Sequence, residues 1–118
     1  MSLEDFNRYS SMKLYMHHIY EFQKGVRNLV LCTMCPTCAT LVCERLDRLG
    51  IGHVTQEITP EKVNLFFGNE LCLNVVRSFI DTPLNKLTAE QDFMLGAMLG
   101  YDIARQCERY CRYKQRFS

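Results

Sequence analysis

The sequence predicts an α+β fold: a four-stranded antiparallel sheet, in the order β-β-α-β-β-α-α, with helices packed on it and a long C-terminal helix. Three observations predict it. Apolar residues alternate along 13–22, as in a half-buried strand; apolar stripes at helical spacing, near 36–49 and 70–80, are bracketed by helix start and stop residues; and a capping sequence at Thr88 opens a helical run to about 115.

Residues 1–11 are polar and read as a flexible, dispensable leader, leaving 12–118 as a single α+β domain. From Lys13 to Phe22, Leu14, Met16, His18, Tyr20 and Phe22 fall on one side and Tyr15, His17, Ile19 and Glu21 on the other, which predicts a strand. Gln23, Lys24 and Gly25 supply a turn, and Val26–Leu31 resumes as a β-rich run, so the two make a hairpin. Pro36 suits a first helical turn, and Gly50 and Gly52 end a helix near 36–49. It packs through Ala39, Val42, Leu46 and Leu49, with Glu44, Asp47 and Arg48 opposite. Residues 53–58 and 63–67, joined by Thr59–Lys62, form a second hairpin. Asn69 caps a helix near 70–80 whose apolar positions are Cys72, Val75, Val76, Phe79 and Ile80, and the stretch 81–87 breaks it. The second sheet face is not cleanly polar, because Tyr15, Ile19, Leu29 and Leu31 share a side; the C-terminal helix or a partner must cover it.

Thr88 and Gln91 make a capping box for the longest helix, roughly 89–115. Phe93, Ala97, Gly100, Ala104, Cys107 and Cys111 form a small-residue seam along it. Gly96 and Gly100 each cost a helix interior about 1 kcal/mol relative to alanine. A close approach by another helix, or by the same helix of a second subunit, is therefore expected, and a homodimer with it.

Composition narrows the function classes. The 118 residues, 47% hydrophobic and 23% charged, suffice for one domain with a real core. No stretch approaches the roughly 20 apolar residues of a membrane span. Glu4 and Asp5 precede any apolar run, unlike a secretory signal, and seven cysteines is an odd number, so a reduced cytoplasmic setting is expected. A net charge of +1 sets up no global field for nucleic acid or anionic membrane. Charge is uneven, however: Arg105, Arg109, Arg112, Lys114 and Arg116 face one acid, Glu108, from 105 onward. A helix C-terminus favours such charge, so a capped, solvated end is expected ahead of a phosphate-contacting tail.

Cys32, Cys35 and Cys38 resemble in spacing the ligand run of bacterial ferredoxins, but the next cysteine, Cys43, comes after four residues and no proline follows it. On a helix Cys38 and Cys43 would point about 140° apart, so a metal site would need Cys32, Cys35 and Cys38 with a distant ligand such as His17, His18, Cys72 or Cys107. Cys35 and Cys38 alone, between a strand and a helix, resemble a thioredoxin-type redox pair, without the βαβ start or a facing proline loop. The plain expectation is that most of the seven cysteines, Cys43, Cys72, Cys107 and Cys111 among them, pack as small hydrophobes. His17 and His18 would point to opposite faces of a strand, which bars joint chelation and leaves His18 as a core histidine or a pocket residue with Tyr20. Tyr101, Arg105 and Glu108 share a helix face, with Asp102 and Arg105 as an ion pair; the face is either solvated or a docking patch. No phosphate-binding glycine loop, nucleophile elbow or helical zinc motif is present.

The segments "HHIYEFQKGVRNLVL" (17–31), "NLFFG" (64–68) and "DFMLGAMLGYDIARQCERY" (92–110) together resemble a small family of bacterial proteins classed as a domain of unknown function, over residues 12–113 or so. The resemblance transfers no catalytic residue. It implies an accessory role beside a flavodoxin in low-potential electron transfer, and puts the weight on His17, His18, Tyr20, Arg27, Tyr101, Asp102, Arg105 and Glu108. The family pattern is not cysteine-rich at 32–38, which counts against cluster or thiol chemistry as the shared function. The expectation is thus a cytoplasmic, non-enzymatic protein-interaction domain with no cofactor, a flavodoxin as specific partner, and no nucleic acid or membrane. The alternative is a thiol-redox or metal-binding protein using Cys32, Cys35 and Cys38.

Overall fold

The structure, a computed structural model, describes residues 2–117, the side chains of 3–11 and 117 excepted. The elements are α1 (Leu3–Gln23), β1 (Leu29–Met34), α2 (Pro36–Leu49), β2 (Gly52–Thr59), β3 (Lys62–Gly68), α3 (Glu70–Arg77), a 3-10 turn (Leu84–Lys86), α4 (Ala89–Met98) and α5 (Ile103–Phe117). The fold is α+β, but the sheet has three strands, not four, in the order β1-β3-β2 with both pairings antiparallel.

The missing strand is the run 13–22, which lies inside α1. Tyr15 and Ile19 are buried and Met12 and Phe22 pack beside them, a stripe at i, i+3, i+7 and i+10, whereas Leu14, Met16 and Tyr20 of the supposed strand face are exposed. The helical period therefore decides the element, and the alternation is incidental. Gly25 ends α1 instead of turning a hairpin: its N–H reaches the Phe22 carbonyl and the Val26 N–H reaches that of Glu21. β1 then starts at Leu29, three residues later than expected. Residues 3–11 of the expected leader fall within α1, and their side chains lie outside the described residues.

Elsewhere local sequence and structure agree. α2 runs over 36–49 with Pro36 at its start and Gly50 as its left-handed cap. The Asn69 carboxamide accepts from the Leu71 N–H at 2.8 Å, although α3 stops at Arg77 and not near 80. The β2–β3 hairpin forms as expected, and Thr88 and Gln91 make the reciprocal capping box.

β3 is central and buried on both faces. Leu65 and Phe67 join Val30, Met34, Tyr15, Ile19, Cys38, Ala39, Val42, Leu46 and Ile51 under α1 and α2; Phe66 and Leu29 join Leu73, Val76, Phe79, Leu87, Leu95 and Leu99 under α3 and α4. The chain thus covers its own second sheet face, making three layers.

The predicted 89–115 helix is two helices. Gly100 takes φ of 82°, which ends α4, and the Asp102 carboxylate then accepts the Arg105 N–H at 3.1 Å to open α5. α5 folds back antiparallel on α4, where Arg109 meets Asp92, and Tyr110 and Lys114 meet Glu90. Gly96 lies under the Gln106 amide, so the close approach required at that glycine comes from α5 of the same chain, not a second subunit. The Tyr113 hydroxyl donates to the Leu87 carbonyl at 2.7 Å and ties α5 to the start of α4. No helix among the described residues is long and apolar enough to cross a membrane.

Candidate functional site

α5 carries the densest array of charge. Arg105, Arg109, Arg112 and Arg116, spaced 4, 3 and 4 residues apart, fall on one helix face and, with Asn85, Glu108 and Tyr113, line a shallow groove of about 520 Å³. Arg109 grips Asp92 with two parallel bonds, Nε to Oδ2 at 2.7 Å and Nη2 to Oδ1 at 3.0 Å. That carboxylate raises the Arg109 pKa and pins the guanidinium against α4. Arg112 pairs with Glu108 within the helix at 2.5 Å. The Arg105 side chain makes no hydrogen bond or ion pair among the described residues and projects from the start of α5. At the far end Lys114 and Glu90 pair at 2.8 Å, which lowers the Glu90 pKa and raises that of Lys114.

Of the residues expected to make a patch, Arg105 and Glu108 line this groove. Tyr101 instead sits exposed in the α4–α5 turn, and Asp102 spends its carboxylate on the helix cap in place of an ion pair with the Arg105 side chain. Arg109, Arg112 and Arg116 read in the sequence as a solvated helix end; their i, i+3, i+7 spacing is the signal for a stripe. On the opposite side of the hairpin Phe93, Met94, Cys107, Tyr110 and Cys111 line an apolar groove, so Cys107 and Cys111 are exposed and not core residues.

The second expected cluster forms at the end of α1, on a helix and not a strand. His17 Nε2 lies 3.1 Å and His18 Nδ1 3.6 Å from Glu21 Oε1, and Arg27 Nε lies 3.6 Å from Glu21 Oε2. The two histidines therefore converge on one carboxylate, because successive helical residues diverge by only about 100°. Tyr20 stands outside the cluster, exposed, with the Lys24 ammonium 5.3 Å from its ring centre. No hydrogen bond, ion pair or shared cavity joins this cluster to α5 among the described residues.

The cysteine segment straddles the β1–α2 junction. Cys32 is on β1, Cys35 is the exposed N-cap of α2, and Cys38 is buried in its first turn. Among the described residues no group of three or more His, Cys, Asp or Glu side chains is placed to hold a metal ion. Tyr15 packs close by, and burial, then the neighbouring thiols of Cys38, Cys32 and Cys35, raise its pKa. Burial pushes the Cys32 thiol up to about 11 from 9.0, against the opposing pull of Arg27. The folded chain thus holds this proton more tightly than the unfolded one. The resulting stabilisation is complete below about pH 9 and is lost as pH rises toward 11. Partial solvent access limits the loss to about 1 kcal/mol. Urea midpoints measured from about pH 8 upward should show this decline, and it should shrink in Cys32→Ala; an equal decline in the variant would contradict it.

One feature escaped the sequence. Thr33, Asn64 and Gln56 face one another across β1, β3 and β2: Thr33 donates to Asn64 at 2.7 Å, Asn64 donates to Gln56 at 3.1 Å, and Gln56 donates to the Ile80 and Thr82 carbonyls at 2.8 and 3.0 Å. Of this row Asn64 and Gln56 border a cavity of about 710 Å³ that also meets Asp81 and Asn85. A lone asparagine in the otherwise apolar "VNLFF" was its only sequence signal.

A family profile described as a protein of unknown function, DUF2023, matches residues 13–113, and the chain belongs to that family. No curated protein matches the chain.

Proposed function

We propose that this member of the family is a non-enzymatic accessory domain that binds an acidic protein surface through α5, in a cytoplasmic setting, with a flavodoxin-type electron carrier as the specific partner. The observation that carries this reading is the arginine stripe of α5, where Arg105, Arg109, Arg112 and Arg116 line one groove. Guanidinium groups present fixed forks that match carboxylates, and like charges on one face steer an oppositely charged partner into register. Asp92 supports the reading by holding Arg109 in place before a partner arrives, which lowers the ordering cost of binding. The resemblance of residues 92–110 to the family pattern points to the same segment.

The test is titration of the isotope-labelled protein with an oxidised flavodoxin at low ionic strength. Chemical-shift changes are expected on 105–116 and at Asn85, with an affinity that falls as salt is added. Arg105→Glu with Arg112→Glu should weaken binding by at least about tenfold, the equivalent of 1.4 kcal/mol, while circular dichroism stays unchanged. Absence of binding, or shifts confined to the α1 cluster, would overturn the assignment of α5.

A further inference from the structure

The β1–α2 junction holds a pair of thiols that the docking surface on α5 does not use. Cys35 is the N-cap of a 14-residue helix, with φ of −71° and ψ of 157°, and its Sγ accepts the Cys38 N–H at 3.4 Å. That bond holds the Cys35 sulfur against the backbone of the turn that carries Cys38. Pro36 stands between them and fixes the first helical φ, so the two Cβ atoms hold a constant relation. The two thiols also differ in access: Cys35 is exposed, whereas Cys38 is only 7% exposed and packs in the core layer beneath α1. An exposed sulfur that receives a backbone N–H at a helix N-terminus is set up to carry negative charge and attack; a shielded sulfur one turn behind it is set up to resolve the product.

We propose that Cys35 and Cys38 form a dithiol site that exchanges with the disulfides of low-molecular-weight thiols. The Cys35 thiolate attacks one sulfur of the substrate disulfide RS–SR. The substrate S–S bond breaks, one RS⁻ departs and takes up the proton that Cys35 had released, and a mixed disulfide remains on Cys35. Cys38 then loses its proton and attacks Cys35 Sγ, expelling the second RS⁻, which is protonated in turn. Two electrons pass from the dithiol to the substrate, giving a Cys35–Cys38 disulfide and two RSH. The site is independent of partner binding through α5, because it lies on the α1–α2 side of the sheet.

Two other cysteines serve as internal controls, since Cys107 and Cys111 are exposed as well. Reduced protein is treated with glutathione disulfide at neutral pH, quenched with an alkylating agent at timed intervals and mapped by mass spectrometry. Cys35 should react on the order of tenfold faster than Cys107 or Cys111, and the product should be the Cys35–Cys38 disulfide. Cys38→Ser should instead accumulate one glutathionyl group on Cys35. Cys35→Ser should abolish the fast phase while keeping the fold, because serine is itself a strong N-cap. Equal rates at the three exposed thiols, or stable glutathionylation of Cys35 in the unsubstituted protein, would overturn the proposal. Reaction with insulin disulfides but not with glutathione disulfide would overturn the substrate class.

Discussion

Replacing either Phe66 or Phe67 with alanine is expected to remove about 3–5 kcal/mol of stability, the usual cost of deleting a buried phenylalanine with incomplete collapse of the cavity. Both rings are fully buried, on the central strand. A domain of this size has roughly 5–15 kcal/mol in total, so either substitution brings it close to unfolding. The two residues are neighbours in sequence but belong to different cores, Phe67 under α1 and α2 and Phe66 under α3 and α4. Their effects should therefore add within a few tenths of a kcal/mol, and the double variant should not fold. Urea unfolding followed by circular dichroism checks the single values, and hydrogen exchange checks the partition. Phe67→Ala should loosen α1 and α2 first, Phe66→Ala α3 and α4. A loss under about 1 kcal/mol for either would mean that β3 is not the shared floor of two cores.

That β3 serves two layers was only half legible in the sequence. "NLFF" reads as a buried strand, and α2, the β2–β3 hairpin, the start of α3 and the Thr88–Gln91 cap carry local chemistry strong enough to fix them. The failures came where two periods fitted the same residues. Along 12–22, alternation links Leu14, Met16, His18, Tyr20 and Phe22, but helical spacing links Met12, Tyr15, Ile19 and Phe22, and only the second set is buried together. Strand propensity does not arbitrate between the two, since it reflects packing surface more than backbone preference. That one error produced the fourth strand, the first hairpin and the opposed histidines. In the C-terminal half, the unbroken helical pattern concealed a turn at Gly100, because a single glycine with positive φ is enough to reverse the chain when Asp102 can cap the next helix. The candidate residues of α5 were visible as composition; their arrangement as a stripe beside α4 depended on that unseen turn.

The same turn makes a small, uncharged substitution consequential. Gly96 faces Gln106, a polar residue only 9% exposed, and a Cβ at position 96 would run into the Gln106 amide. That amide ends a flexible side chain and can swing aside for a methyl, but the larger Gly96→Leu should force α5 off α4 at a cost of about 1–3 kcal/mol, the range for overpacking a close contact. α5 packs chiefly on α4, so the loss should be local. Limited proteolysis and hydrogen exchange should show α5 released while the sheet and α1–α3 keep their protection. Separation also breaks the Asp92–Arg109 fork, so the arginine stripe loses its fixed register without losing a single charge. Affinity for the acidic partner should accordingly fall at least about tenfold, although net charge is unchanged. Alanine at Gln106 in the Gly96→Leu background makes room for the new side chain and should recover part of both losses. Unaltered binding with α5 released would show that charge alone suffices, and that the groove on α5 imposes no geometry on its partner.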